Sequence, residues 1–238
     1  MSAHARQDPG YVLHTYPYRE TSLVVETFTR SHGRVAMVAR GAKRPRSAMR
    51  GSIMAFQPLG LSWSGRGELR LLLRAEWQGG QPRLQGRALL CGFYLNELLL
   101  KLLPREDAHE QLFLDYQAAL ARLAEDTEPG AVLRRFEKAL LRELGYALAL
   151  DRDSVSGGEI DPSRSYAYEP ERGPVAVNGA APAGLVLSGQ TLLDIVHDDY
   201  SDPTTLQQAK ALMRLLIGHR LEQKPLNSRR IFEELRQL

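Results

Sequence analysis

The hydrophobic pattern of this chain changes period once. From Gly10 to Trp77 apolar residues alternate with others in short runs separated by turn residues, and from Gly86 onward they recur every three to four positions. Alternation buries one side of an extended strand, whereas helical spacing buries one stripe of a helix, so neither pattern is satisfied by the other structure. The pattern predicts an antiparallel β unit followed by a helical one, an α+β chain. Its 238 residues, 43% of them apolar, suffice to bury a core in each.

Five strands can be placed in the first part. They are Tyr11–Thr15, Thr21–Thr29, Arg34–Arg40 after the turn Ser31-His32-Gly33, a fourth carrying Leu59, Leu61 and Trp63, and a fifth after Ser64-Gly65-Arg66-Gly67. The fifth is expected to bury Leu69, Leu71, Leu73, Ala75 and Trp77 and to turn Arg70, Leu72 and Arg74 outward. Five short strands closing into a partly open barrel describe an OB-fold, which combines basic tracking of a nucleic-acid backbone with aromatic platforms for bases. Tyr16, Tyr18, Phe28 and Phe56 are the aromatics available for stacking, set against the usual fate of strand aromatics as core.

A domain boundary is expected at Gly79-Gly80-Gln81-Pro82, separating residues 1–80 from a mainly helical region, 81–238. The first helix, with Leu89, Leu90, Phe93, Leu95, Leu98, Leu99 and Leu102, is apolar nearly all round and so central and buried. A second is expected over Ala108–Glu125. A third starts from an N-cap at Thr127 and stops at Gly145, with Arg134, Arg135, Lys138 and Arg142 on its polar face. Residues 151–185 read as an irregular insertion with a small hairpin, Tyr166–Tyr168 with Val175–Val177. Helical spacing returns after Ser188. A long helix opens at the N-cap pair Asp202-Pro203, and a short one covers Ser228–Arg236.

Net charge is only +3, yet it is unevenly spread. Between Thr27 and Gly67 stand Arg30, Arg34, Arg40, Lys43, Arg44, Arg46, Arg50 and Arg66 with no aspartate or glutamate, which leaves the remainder net acidic. Five of the eight fall in RGAKRPRSAMR, Arg40–Arg50, where Gly41 and Pro45 argue for a flexible loop rather than a helix. An ordinary solvated surface mixes both signs, so a dense run of one sign reads as a phosphate clamp. Arg34, Arg40, Lys43, Arg44, Arg46, Arg50, Arg70 and Arg74 are the candidate DNA-binding residues.

No catalytic pattern accompanies this charge. Neither GxxxxGK[ST] nor a strand-to-helix GxGxxG occurs, and no nucleophile–base arrangement can be argued. Asp194 and His197 alone have a spacing that could place two metal ligands on one helical face, with no third in view. Cys91, the single cysteine, lies in an apolar run and reads as a small buried hydrophobe. The first residues lack the apolar run of a signal peptide, and Asn96, Glu97 and Lys101 interrupt the most apolar stretch, Ala88–Leu103. A cytoplasmic, non-enzymatic protein without metal or cofactor is expected. The alternative to DNA is an RNA-binding OB module of translation, in which the same basic face would clamp RNA.

The chain resembles the RecO family of bacterial recombination mediators over nearly its full length. The segments that carry the resemblance are YVLHTYPYRETSLVVETFTRSHGRVAMVARGAKRPRS, FQPLGLSWSGRGEL, GFYLNELLLKLL, LRRFEKALLRELGY and KPLNSRRIF, in that order. The resemblance implies an N-terminal OB-fold and a helical C-terminal domain, binding of single- and double-stranded DNA, and annealing of complementary strands. It also implies binding to the acidic tail of single-strand binding protein (SSB), and action with RecR to load RecA, at the bacterial nucleoid. The family's tail-binding arginine falls in the segment matching LRRFE, which makes Arg134 the first candidate and Arg135 the second. Some members hold zinc through four cysteines in the region matching Asp151–Gly173; this chain has none there, so ordinary packing is expected to hold that loop.

Overall fold

Each period-two segment becomes a strand, and the strands close on themselves. In the computed structural model, which describes residues 7–125, 128–146, 148–179, 184–228 and 230–231, β1 (Asp8–Tyr18), β2 (Ser22–Thr29) and β3 (Gly33–Ala39) form an antiparallel meander. After the short helix α1 (Ala48–Ser52), β4 (Leu59–Ser64) and β5 (Arg70–Trp77) form a hairpin. A parallel pair, Met37 with Arg70 and Val38 with Leu71, joins β3 to β5, and β4 returns to β1 at Asp8–Gly10. The closed order β1-β2-β3-β5-β4 is that of an OB-fold barrel. Val12, Val25, Val35, Met37, Leu59, Leu61 and Leu72 fill it, while Met49 of α1 and Ile53 pack on that core.

Four details depart from expectation. β1 runs well beyond Tyr11–Thr15, because its first residues pair with β4 and its last with β2. The buried side of β5 is also different. Ser62 pairs with Arg74 but Trp63 pairs with Leu72, so Leu73 is an extra residue on its strand. One extra residue reverses every side chain beyond it. Leu72 therefore lies inside, while Leu69 and Leu73 are exposed; Trp77, at the end of the strand, is exposed although it keeps the parity of core-packed Ala75. The segment Arg40–Arg50 is less free than a loop, since it is a run of turns ending in α1. Finally, Phe28 and Phe56 are buried, and neither offers a face to a base.

The barrel belongs to a compact unit formed by Met1–Thr127 and Leu226–Leu238. In it α2 (Gly86–Leu102) and α3 (Glu110–Ala124) cover the outside of β1 and β2. Phe28 and Tyr11 meet Phe113 and Tyr116 of α3 at ring separations of 5.2–6.0 Å. Asn96 of α2 is the polar bolt of this seam. Its Nδ2 donates to the Leu13 carbonyl at 2.8 Å, and its Oδ1 accepts from the Tyr116 hydroxyl at 2.6 Å. Asn96→Leu would take the partner from both groups in a seam where Asn96 and Tyr116 are fully buried. It is expected to lower the unfolding free energy by about 2–4 kcal/mol, measurable by urea denaturation.

The same unit ties in Asn227 and Ser228 through Glu97, whose carboxylate accepts from the Ser228 hydroxyl and from the backbone N–H groups of both residues. Residues 227–228 and 230–231 are helical, and the rest of the helix expected over Ser228–Arg236 lies outside the described residues.

The second unit is Glu128–Pro225. α4 (Pro129–Glu143) is capped by Glu128, which accepts from Gly130 N–H; the expected cap, Thr127, lies outside the described residues. The expected hairpin is present as β6 (Ser165–Glu169) and β7 (Gly173–Ala176), and a third strand, β8 (Val186–Ser188), pairs with β6. β8 was invisible as a pattern because three residues cannot display a period. α5 (Gly189–Val196) and α6 (Pro203–Arg220) complete the unit, with Asp202 capping α6 as expected.

Candidate nucleic-acid interface

The run of turns after β3 is built around one buried residue. Gly41 takes a left-handed backbone (φ +66°), Ala42 enters the barrel core, and the Lys43 N–H donates to the Thr21 carbonyl at 2.9 Å. With Ala42 inside, its neighbours are forced out. Arg40, Lys43, Arg44, Arg46 and Arg50 are all exposed, and among the described residues none of the five pairs with a carboxylate. The backbone that carries them is pinned by further turn bonds, Arg44 N–H to Gly41 C=O and Ser47 N–H to Arg44 C=O. The cations are thus presented on an ordered frame rather than on a free loop.

The other cations of the basic segment and of β5 sit differently, because carboxylates distant in sequence arrive beside them. Arg34 is engaged internally. Its guanidinium donates to the carbonyls of Leu100 and Leu103 at the C-terminus of α2 and lies 3.7 Å from the buried Glu26. Its side chain is 13% exposed, and burial lowers its pKa while Glu26 works against that shift. Arg30 pairs with Glu110 of α3, and Arg70 pairs with Glu106 at 2.6 Å. Arg74 is 70% exposed, with Glu76 at 3.5 Å on the same strand. Of the eight candidates, then, five converge on one ordered turn segment, Arg74 is open on β5, Arg70 is half spent, and Arg34 is a structural cap.

Of the candidate stacking residues, Tyr16 is exposed and Tyr18 partly so, both at the end of β1 that pairs with the start of β2. His14 stands edge-on to Tyr16 at 4.5 Å, and the Arg19 guanidinium lies 5.2 Å from the Tyr18 ring.

In the second unit the polar face of α4 is largely a seam. Lys138 Nζ donates to the carbonyls of Ile195 and Val196, which caps the end of α5, and reaches Asp198 at 2.9 Å. Arg134 is buried and its Nη2 donates to Glu137 at 2.6 Å. Arg135 is half-buried, with Nη2 on the Asp198 carbonyl and its guanidinium 5.4 Å from the Tyr200 ring. Burial raises the Tyr200 hydroxyl pKa, and the nearby Asp198 and Glu137 charges add to the rise. Of the two candidates for an acidic tail, Arg135 is therefore the one a ligand can reach.

Asp194 and His197 do not converge on a common point. Asp194 accepts from Thr205 Oγ1 and Gln190 Nε2, whereas the His197 ring meets the Leu193 carbonyl. Among the described residues no group of three metal-ligating side chains assembles. The cysteine-free loop is held by its own turn chemistry. Asp153 accepts from the Val155 N–H and the Ser156 hydroxyl, and those bonds lower its pKa. Asp161 likewise holds Ser163, and the Tyr166 hydroxyl accepts from Asp161 N–H. No helix among the described residues is long and apolar enough to cross a membrane.

Comparison with known proteins agrees with this architecture along the whole chain. Family models described as Recombination protein O N terminal and Recombination protein O C terminal match residues 1–80 and 83–230. The chain is 58% identical to the DNA repair protein RecO of Aromatoleum aromaticum over 233 residues, covering 98% of this chain and 97% of the relative. It is 57% identical over 231 residues to the protein of the same name from Nitrosospira multiformis, covering 97% and 96%. The corresponding protein of Dechloromonas aromatica is 56% identical over 233 residues, again covering 97% and 96%.

Proposed function

The chain belongs to the RecO family, and on that premise we propose that it is a non-enzymatic mediator of recombinational DNA repair that grips DNA through the Arg40–Arg50 turn segment. The observation that carries this reading is the set Arg40, Lys43, Arg44, Arg46 and Arg50, five exposed cations on one ordered frame with no carboxylate paired to any of them among the described residues. Such a frame recognises the phosphate repeat shared by single strands and duplexes and reads no sequence. Annealing follows from the same chemistry. Two complementary strands repel each other along their length, and a cationic surface that neutralises part of that charge lets them meet. No bond is made or broken by the protein, so no catalytic group is required.

Arg74 extends the cationic surface along β5. The family context adds three partners: RecR, the acidic tail of SSB and, indirectly, RecA, with the nucleoid as the place of action. The tail's terminal carboxylates are assigned to Arg135, which the Asp198 carbonyl and the Tyr200 ring orient, while Arg134 is engaged with buried Glu137. Arg135→Ala is expected to weaken binding of a tail peptide about tenfold, the loss of one charge-assisted contact, while affinity for naked DNA is unchanged. Arg134→Ala should instead lower the melting temperature. Peptide titration by fluorescence anisotropy beside a thermal scan separates the two roles.

The function itself is tested by annealing of complementary oligonucleotides in the purified protein. Faster annealing than the spontaneous rate, lost when the five cations are neutralised, is the expected result. An RNA competitor of equal length that displaces DNA at far lower concentration would favour the translational reading instead.

A further inference from the structure

We infer that Trp77 is a base-stacking platform that holds unpaired nucleotides at the end of β5, a role that rests on the DNA-binding reading above. Several independent features meet at this residue. Trp77 lies on the alternation of β5 that would normally be core, yet 59% of it is exposed. An indole is the largest apolar side chain, and its flat faces offer the stacking surface that a base requires. Its polar edge is not free to rotate, because Nε1 donates to Gln57 Oε1 at 3.1 Å and Gln57 is itself buried. With the edge fastened, the ring faces are what remain for a ligand.

The residue before Gln57 adopts a strained backbone. Phe56, immediately before it, has φ +65°, a conformation that costs a bulky L-residue on the order of 1–3 kcal/mol. The ring of Phe56 stands 5.1 Å from Phe93 and close over Gly92, where an added Cβ would lie 2.9 Å from it. Glycine at that helix position leaves room for the Phe56 ring and for Leu84 beside it. The fold thus holds Gln57, and through it the indole, in one orientation.

Charge identifies the ligand. α1, the end of the cationic turn segment and the carrier of exposed Arg50, packs against β5, the strand that ends in Trp77, while Arg74 projects from the opposite face of that strand. The neighbouring carboxylate, Glu76, is engaged by Arg74 and by Gln7. A flat aromatic face on the strand against which the cationic turn segment's helix packs suits a base joined to a phosphate chain. A duplex keeps its base faces stacked on one another, so this platform accepts single strands only. The turn segment would supply grip on any DNA, and Trp77 would add preference for the unpaired form.

The chain contains two tryptophans, and the other, Trp63, is partly buried against the barrel core and edge-on to His32. Adding an unlabelled oligothymidylate to the full-length protein is therefore expected to quench intrinsic fluorescence, and Trp77→Phe should remove that quench. Trp77→Leu is expected to weaken binding of a labelled oligothymidylate on the order of tenfold and to leave duplex affinity within twofold. Trp77→Phe, which keeps a ring, should retain most of the affinity and guards against a folding defect in the leucine variant. Equal affinity of wild type and Trp77→Leu for single strands would overturn the inference while leaving phosphate binding intact, as would an equal loss on duplex. A blue shift on concentrating the protein without DNA would overturn it in favour of a contact between copies. Failure of the wild type to bind either form of DNA would overturn the functional reading as well.

Discussion

Replacing Lys43, Arg44 and Arg46 together with glutamate is expected to reduce affinity for single-stranded and double-stranded DNA alike, on the order of a hundredfold or more near 0.1 M salt. The three side chains are exposed on turns whose geometry is set elsewhere, by Ala42 in the core and by the Lys43 N–H on Thr21, so the change alters charge without altering the frame. Each lost phosphate contact also removes counterion release. The slope of log affinity against log salt should become shallower by about 2 for single strands, three contacts at roughly 0.7 each. Oligonucleotides of different sequence should lose affinity equally, since phosphates are common to all. Filter binding or anisotropy across a salt series reads both quantities, and a loss confined to particular sequences would point to base readout.

Arg34→Ala is expected to act on stability instead. The substitution leaves the Leu100 and Leu103 carbonyls without their donor and withdraws one of the two guanidinium partners of buried Glu26, the other being Arg105. Removing one member of such a set costs about 3–5 kcal/mol when fully buried, and with Arg105 still in place about 2–4 kcal/mol is expected. Lysine cannot span two carbonyls and a carboxylate as the planar fork does, so Arg34→Lys should recover little. DNA affinity of the protein that remains folded should match wild type. Denaturant titration followed by binding on the folded fraction checks both halves, and a stable Arg34→Ala protein with weakened DNA binding would return Arg34 to the DNA path.

These two residues sets were indistinguishable as sequence. Arg34 and Arg44 stand in the same acid-free run, and only the fold brings α2, Glu106 and Glu110 against one end of it. The partners of Arg30 and Arg70 lie 80 and 36 residues away along the chain, a separation at which spacing carries no information. What survives from the sequence is the part that needs no distant partner. Gly41, Pro45 and the small residues around them make turns, a buried Ala42 orients them, and five cations point outward.

The barrel was legible because alternation and turn residues act locally, and the parallel junction of β3 with β5 follows from closing five strands in OB-fold order. The side of β5 that faces in was not legible. A single bulged residue, Leu73, reverses the parity of Leu72 and hides in a run of three leucines, where no change of residue type marks it. Trp77 keeps the parity of Ala75, which does pack on the core, and its exposure at the end of the strand emerged only from the structure. Phe28 was lost as a stacking candidate for a different reason, since the aromatic ring that covers it comes from Phe113 on α3.

The helices were legible as spans but less so as surfaces. Arg134, Arg135, Lys138 and Arg142 read as the polar face of the helix, with Arg134 as the first candidate for the tail, whereas α4 places Arg134 inside and uses Lys138 to cap α5. A polar stripe cannot reveal that another helix ends against it. The ordered set of sequence segments nevertheless identified the family, because such segments record pairings that periodicity alone does not.

The most direct measurement is the salt dependence of binding between the wild-type protein and an unstructured oligonucleotide. If the five open cations of Arg40–Arg50 each meet a phosphate, log affinity should fall linearly with log salt at a slope of roughly −3.5. A slope near zero, or no binding in dilute buffer, would contradict the assignment of that turn segment as the DNA grip.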